Sequence, residues 1–236
     1  MPADSGRPAL NFFRRIETRV LVLWIALAGV VWLFLSLADE VAEGDTHDLD
    51  RSMLLALRNS ADLNDPLGPR TFEEAMRDVT ALGGFTVLTL VTVVGALAFL
   101  FHGRWRHATV LVGTVLLAQA SSELTKAFYD RPRPDLVAHG SYVYSGSFPS
   151  GHSMLSAATY LTLAMLIASL ETRRATKGMA YALAVLLVLS IGISRVYLGV
   201  HWPTDVLGGW ALGAGYCLLG WCVLIWIGGR PRPVEA

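Results

Sequence analysis

Ser194-Arg195-Val196-Tyr197-Leu198-Gly199-Val200-His201-Trp202-Pro203-Thr204-Asp205 sets an Arg, a His and an Asp between two long apolar runs, Gly178–Ser194 and Pro203–Gly229. Ionisable groups at the edge of hydrocarbon lose hydration, and persist only where partners, water or a ligand replace it. These three are therefore functional candidates. Arg195 offers a planar, permanently charged fork suited to phosphate or carboxylate. His201 and Asp205 stand four residues apart, with Pro203 between them at a position suited to the first residue of a helix. A helix starting there puts Asp205 in its first turn, where an anion is favoured and the carboxylate can reach back to orient the His201 imidazole. The pair reads as a nucleophile or base with its orienter.

Two further stretches match this one. Gly146-Ser147-Phe148-Pro149-Ser150-Gly151-His152 precedes an apolar run, so Ser150 is expected to cap a helix whose free N–H groups at Gly151 and His152 point outward as an anion site. Lys126-Ala127-Phe128-Tyr129-Asp130-Arg131-Pro132-Arg133-Pro134 ends another apolar run, and its prolines hold the cationic segment extended. Three donor-rich pieces await one anion.

In these residues the chain resembles the type 2 phosphatidic acid phosphatases, membrane relatives of bacterial acid phosphatases and vanadium haloperoxidases. The family pattern of Lys, six residues and Arg-Pro is met by Lys126 through Pro134, Pro-Ser-Gly-His by Pro149 through His152, and Ser-Arg, five residues, His, three residues and Asp by Ser194 through Asp205. Each motif alone is weak; three in the family order and spacing are strong, and together they cover roughly the last half of the chain.

Composition points to the same class. The chain is 53% hydrophobic and only 16% charged, with mean hydropathy +0.48, too apolar for an ordinary soluble domain of 236 residues. A formal net charge of +0 implies no global attraction to nucleic acid, and none is expected as a partner. Apolar runs at Arg19–Ala38, Phe85–Phe101, Ala108–Lys126, Gly151–Leu170, Gly178–Ser194 and Pro203–Gly229 are each near the length of a bilayer crossing. The expected fold is all-α, a single domain over residues 1–236 forming an integral membrane bundle of six transmembrane helices. Ser36-Leu37-Ala38 is a weak cleavage signal, so the first run is expected to remain as a span. The oligomeric state is not legible.

Basic residues mark the cytoplasmic side. Arg7, Arg14 and Arg15, then Arg104 and Arg106, then Arg173, Arg174 and Lys177, then Arg230 and Arg232 all fall on one side of an alternating six-span chain. Residues 1–18 and the C-terminus are thereby expected in the cytoplasm, and the 39–84 loop and all three motifs on the extracytoplasmic side. That loop holds eleven acidic residues against four arginines. Met53–Leu57 and Phe72–Leu82 suggest two short amphipathic helices, separated by the turn-rich Asn64–Pro69. The loop is read as a solvated cap without a catalytic role.

Other residues are given plain readings. Glu123, one turn before Lys126, is expected to be its surface partner. His47, His102, His107 and His139 share no constellation and are read as solvated or interfacial; Trp202, Trp210, Trp221 and Trp226 as interface belt or packing. Cys217 and Cys222, five apart in one apolar run, are read as packing residues. His152, His201 and Asp205 could ligate a metal, but no neighbouring carboxylate or Cys cluster completes a set, so no metal and no cofactor is expected.

The resemblance implies metal-independent hydrolysis of a lipid phosphate or diphosphate through a phosphohistidine. It makes His201 the nucleophile, Asp205 its orienter and His152 the acid and then the base, with Lys126, Arg133, Ser150, Gly151 and Arg195 binding phosphate. Phosphatidate, phosphatidylglycerophosphate, polyprenyl diphosphate and lipid A phosphate all suit such a site. A lipid-linked phosphotransferase would use the same residues, whereas a lipid transporter would need no His nucleophile.

Overall fold

The computed structural model describes residues 7–135 and 146–228, with residues 7–17 and Arg19 given by backbone alone. His139 and the basic residues Arg230 and Arg232 lie outside them. In chain order the elements are α1 (Arg7–Glu43), α2 (His47–Leu55), β1 (Arg58–Asn59), β2 (Asp62–Pro66), α3 (Arg70–Ala81), α4 (Phe85–Phe101), α5 (Trp105–Tyr129), α6 (Gly151–Ser156), a π-helical turn (Ala157–Leu161), α7 (Thr162–Leu170), α8 (Arg174–Tyr197) and α9 (Pro203–Gly228). The chain is an all-α membrane bundle. Among the described residues, five helices are long and apolar enough to cross a membrane: Val20–Glu43, Trp105–Tyr129, Gly151–Leu170, Arg174–Tyr197 and Pro203–Gly228. The expected sixth span, α4, has 17 residues and qualifies only together with α3, from which it is bent by 48°. Gly83 and Gly84 make that break, and Gly83 has no room for more: a Cβ there would lie 2.5 Å from Ile191 Cγ2.

The 39–84 loop does hold two helices: α3 matches the expected Phe72–Leu82, while α2 begins six residues before the expected Met53 and ends at Leu55. The segment between them, read as a turn, instead opens with an antiparallel hairpin that pairs Arg58 with Pro66 and Asn59 with Asp62. Polar side chains serve its backbone: Asn59 Oδ1 accepts from the Ala61 N–H at 3.1 Å and Asp62 Oδ1 from the Asn64 N–H at 2.9 Å. Such local bonds favour a tight reversal over a helix.

Two features bring the motif-bearing ends of α5, α6 and α9 together. Gly209 and Gly213, four apart on α9, let α6 approach backbone to backbone. A Cβ on Gly209 would stand 2.7 Å from the Ser150 carbonyl oxygen, and one on Gly213 would meet the Met154 carbonyl. Phe148, fully buried, stacks on Phe34 of α1 at 5.7 Å and meets the edge of Tyr129 of α5 at 5.2 Å. Gly208 leaves space for its ring, since a Cβ there would come within 2.6 Å of it. The residue before the Pro-Ser-Gly-His motif is thus a wedge that ties three helices to it.

Candidate active site

Each functional segment begins or ends a helix for a local reason. α8 stops in a Schellman motif: Gly199 has φ +73°, its N–H bonds to the Val196 carbonyl at 2.9 Å, and the Val200 N–H reaches back to the Arg195 carbonyl at 3.1 Å. After His201, Pro203 opens α9 with Trp202 before it as the cap. Asp205, third in the helix, returns its Oδ2 to the Trp202 N–H at 2.9 Å, the reciprocal half of a capping box. α5 ends at Asp130 in the left-handed region, φ 39°, a conformation Asp tolerates, and the prolines that follow keep the chain out of a helix.

Backbone bonds then join the three segments. The Ser150 N–H bonds to the Asp205 carbonyl at 2.9 Å and the Ser147 N–H to the Arg131 carbonyl at 2.8 Å. Arg133 Nη1 donates to the Val200 carbonyl at 2.9 Å and Trp202 Nε1 to the Pro132 carbonyl at 3.0 Å.

At the centre is a line of side chains. Arg133 Nη1 lies 3.1 Å from His201 Nε2, and His201 Nδ1 lies 3.3 Å from Asp205 Oδ2. Arg133 can only donate, so Nε2 accepts and the bond pattern puts the imidazole proton on Nδ1, aimed at the carboxylate. Asp205 also accepts from Ser147 Oγ and, on Oδ1, from Arg131 Nη1 at 2.7 Å. Arg131 continues to Asp50 Oδ2 at 2.7 Å. The sequence is Arg133, His201, Asp205, Arg131, Asp50. His201 is 2% exposed, and Asp205 and Asp50 are fully buried. Burial pushes the His201 imidazole down to about 4, with the charges of Arg195 and Arg133 acting in the same direction against Asp205. Removing one partner of such a buried pair costs roughly 3–5 kcal/mol.

The other predicted residues lie at the same end of the bundle. His152 lies within electrostatic reach of Arg195, His201, Lys126 and Arg133. Lys126 stands over Gly151, where a Cβ would sit 3.0 Å from Nζ. Arg195 Nη1 donates to Thr80 Oγ1 of α3 at 3.2 Å, while its buried Nε has no partner among the described residues. All eight candidate residues therefore converge at one end of the bundle. Among the described residues, no three His, Cys, Asp or Glu side chains form a metal-ligand group.

Several sequence readings change. Ser150 occupies the N-cap position, but its hydroxyl makes no bond to a helix N–H; it is fully buried and accepts from Ser153 Oγ at 3.1 Å. Glu123 accepts from Gln119 at 3.2 Å and stays within electrostatic reach of Lys126 without a close ion pair among the described residues. Of the two readings for Trp202, packing holds and belt does not: it is 4% exposed, with the Arg131 guanidinium 5.8 Å above its ring and the His47 ring edge-on at 5.5 Å. His47 opens α2 and stays exposed, as read, while one edge of its ring meets Trp202. The 39–84 loop is not merely a solvated cap, because Asp50 and Thr46 reach Arg131.

Asp50, Arg131 and Ser147 were missed as site residues. Arg131 had a sequence signal. In an extended Arg-Pro-Arg-Pro segment, alternate residues face the same side only at even spacing, so Arg131 and Arg133 share a face, and they grip the two ends of the His201–Asp205 pair. Asp50 had none, being one of eleven acids in its loop.

Comparison with known proteins identifies the family. The PAP2 superfamily model matches residues 107–228, just over half of the chain. Phosphatidylglycerophosphatase B of Bacillus subtilis is 40% identical over 146 residues, covering 59% of this chain and 69% of that protein. An undecaprenyl-diphosphatase of Sulfolobus acidocaldarius is 29% identical over 51% of this chain and 57% of its own length. The crystal structure of a transmembrane PAP2-type phosphatidylglycerolphosphate phosphatase from Bacillus subtilis superposes with a TM-score of 0.70 at 29% identity, over 88% of this chain and 98% of that one. The chain belongs to the PAP2 superfamily and is a multi-pass membrane phosphatase of that family.

Proposed function

We propose that this protein hydrolyses the phosphate ester or diphosphate of a membrane lipid, without a metal ion, through a phosphohistidine on His201. The observation that carries this reading is the His201 ring, neutral, with its proton held toward Asp205 and its Nε2 lone pair turned to the cationic cluster. As Nε2 bonds to phosphorus, the P–O bond to the leaving group breaks and His152 donates its proton to the departing oxygen. His152 then takes a proton from water as that oxygen attacks phosphorus and the N–P bond breaks. Asp205 offsets the imidazolium charge that develops in between. Arg133 transfers its donor from Nε2 to an entering phosphate oxygen and, with Lys126, Arg195 and the Gly151 N–H, meets the charge spread over the phosphoryl group. Ser150, buried against Ser153, supports the helix start.

The basic residues of the alternate loops support a site at the extracytoplasmic face, with both termini in the cytoplasm. Phosphatidylglycerophosphate is the first substrate to test, given the Bacillus subtilis relative; phosphatidate, polyprenyl diphosphate and lipid A phosphate complete the panel. Purified protein in detergent is expected to release phosphate from at least one of them and to carry an acid-labile phosphoryl group on His201 during turnover. No release from any lipid phosphate, or full turnover by His201→Ala, overturns the reading. Reporter fusions within residues 39–84 test the sidedness, and a cytoplasmic signal there rejects it.

A further inference from the structure

Asp50 is the one carboxylate of the 39–84 loop that the bundle encloses completely, and all of its bonds lead to the catalytic end. Its Oδ1 accepts from the Thr204 N–H at 2.9 Å, and its Oδ2 from Thr204 Oγ1 at 2.6 Å and Arg131 Nη2 at 2.7 Å. Thr204 is the residue before Asp205, and Arg131 Nη1 reaches both Thr204 Oγ1 at 2.8 Å and Asp205 Oδ1 at 2.7 Å. The Arg131 fork is therefore spread across two carboxylates, from α2 and α9, 155 positions apart in the chain.

We propose that Asp50 is a positioning residue for phosphoryl transfer, acting through Arg131 to keep the Asp205 carboxylate directed and charged toward His201 Nδ1. Charge balance gives the reason. A guanidinium facing Asp205 alone neutralises it, leaving little negative charge to meet the imidazolium that forms when Nε2 bonds to phosphorus. With Asp50 on the opposite edge of the same guanidinium, the group of two carboxylates and one cation retains a net charge of −1, and Arg131 is held so that only one of its nitrogens faces Asp205. The second carboxylate thus keeps the orienter effective without touching substrate. The loop before the second span then belongs to the catalytic machinery, while its exposed acids remain solvent-facing.

This inference rests on the phosphatase reading, and wild-type phosphate release from the lipid panel is its control: no release there fails that reading and leaves the Asp50 comparison without a reaction. With an active wild type, the test is a cycle of Asp50→Asn, Arg131→Gln and the double variant, each checked for monodisperse elution and thermal unfolding in detergent. Asp50→Asn is expected to lower kcat about 10–100-fold with KM nearly unchanged, and the double variant to be no slower than Arg131→Gln alone, since both act along one line. Wild-type kcat in folded Asp50→Asn, a loss confined to KM, or losses that multiply in the double variant would each overturn the proposal. If Asp50→Asn does not fold, Asp50→Glu, which keeps the charge but displaces it, takes its place with the same expectation. Undiminished kcat in it, or failure of both variants to fold, assigns Asp50 to a structural clamp and overturns the positioning role.

Discussion

The two histidines of the site sit in opposite surroundings. His201 is buried and bonded at both nitrogens, with Arg133 on one and Asp205 on the other, and the line continues through Arg131 to Asp50. His152 is half-buried, has no hydrogen bond from the described residues on its ring, and has the Gly83–Gly84 break beside it, where a Cβ on Gly84 would come 4.0 Å from Nε2. The difference suits their assigned tasks. A nucleophile gains from a fixed tautomer and direction before substrate arrives, whereas an acid that becomes a base must exchange protons with a leaving group and then with water, and needs an open side.

The severest way to break this contrast is to remove the nucleophile. His201→Ala is expected to lose roughly 10⁴-fold or more in kcat with a long-chain lipid phosphate, measured by phosphate release, and to take up no covalent phosphate. His152→Ala is expected to lose about 10²–10⁴-fold with an alkyl leaving group and far less with p-nitrophenyl phosphate, whose leaving oxygen needs no proton. Equal losses on both substrates would remove His152 from the acid role. Smaller again is Arg195→Lys. Replacing the fork by an ammonium is expected to weaken vanadate inhibition by roughly 10–100-fold, the worth of one charge-assisted bond.

A pH profile sharpens the same contrast. The free His201 imidazole titrates near 4, below its ordinary 6.5, so an acid limb in kcat/KM arising from this nucleophile is expected near 4. Because the folded value is depressed, the unfolded chain binds the proton more readily. Stability is therefore expected to fall as pH drops from about 6.5 through 4, read as a decline in unfolding temperature in detergent. The smallest expected effect is that of EDTA: turnover is expected to be unchanged, and loss restored by magnesium or zinc would reassign His152, His201 and Asp205 as ligands.

Where a structural feature depends on neighbours in sequence, the chain could be read directly. Six apolar runs were visible as lengths of hydrocarbon-compatible residues. Pro203 announced the start of α9, and the spacing of His201 and Asp205 announced that one would turn back on the other, because a capping box is made within four residues. Gly199 and the Arg-Pro-Arg-Pro segment likewise act through local backbone geometry. The α3–α4 bend was harder to see: α4 is apolar throughout while α3 is amphipathic, and only packing against Ile191 shows why two glycines separate them.

Tertiary structure alone decided which polar residues became part of the site. Asp50 carries the same charge and the same kind of neighbours as the exposed acids around it, and nothing local distinguishes it; it is chosen because α2 comes to rest on the start of α9, where Arg131 and Thr204 wait. Trp202 looks like any tryptophan at a span end until the Pro132 carbonyl and Arg131 are found around it. Ser150 has the composition of a cap, yet the close approach that Gly209 allows buries its hydroxyl against Ser153. Hydropathy and helix signals are properties of a few consecutive residues, whereas pairing a buried charge depends on groups brought together from far apart in the chain, and only the folded bundle determines which ones meet.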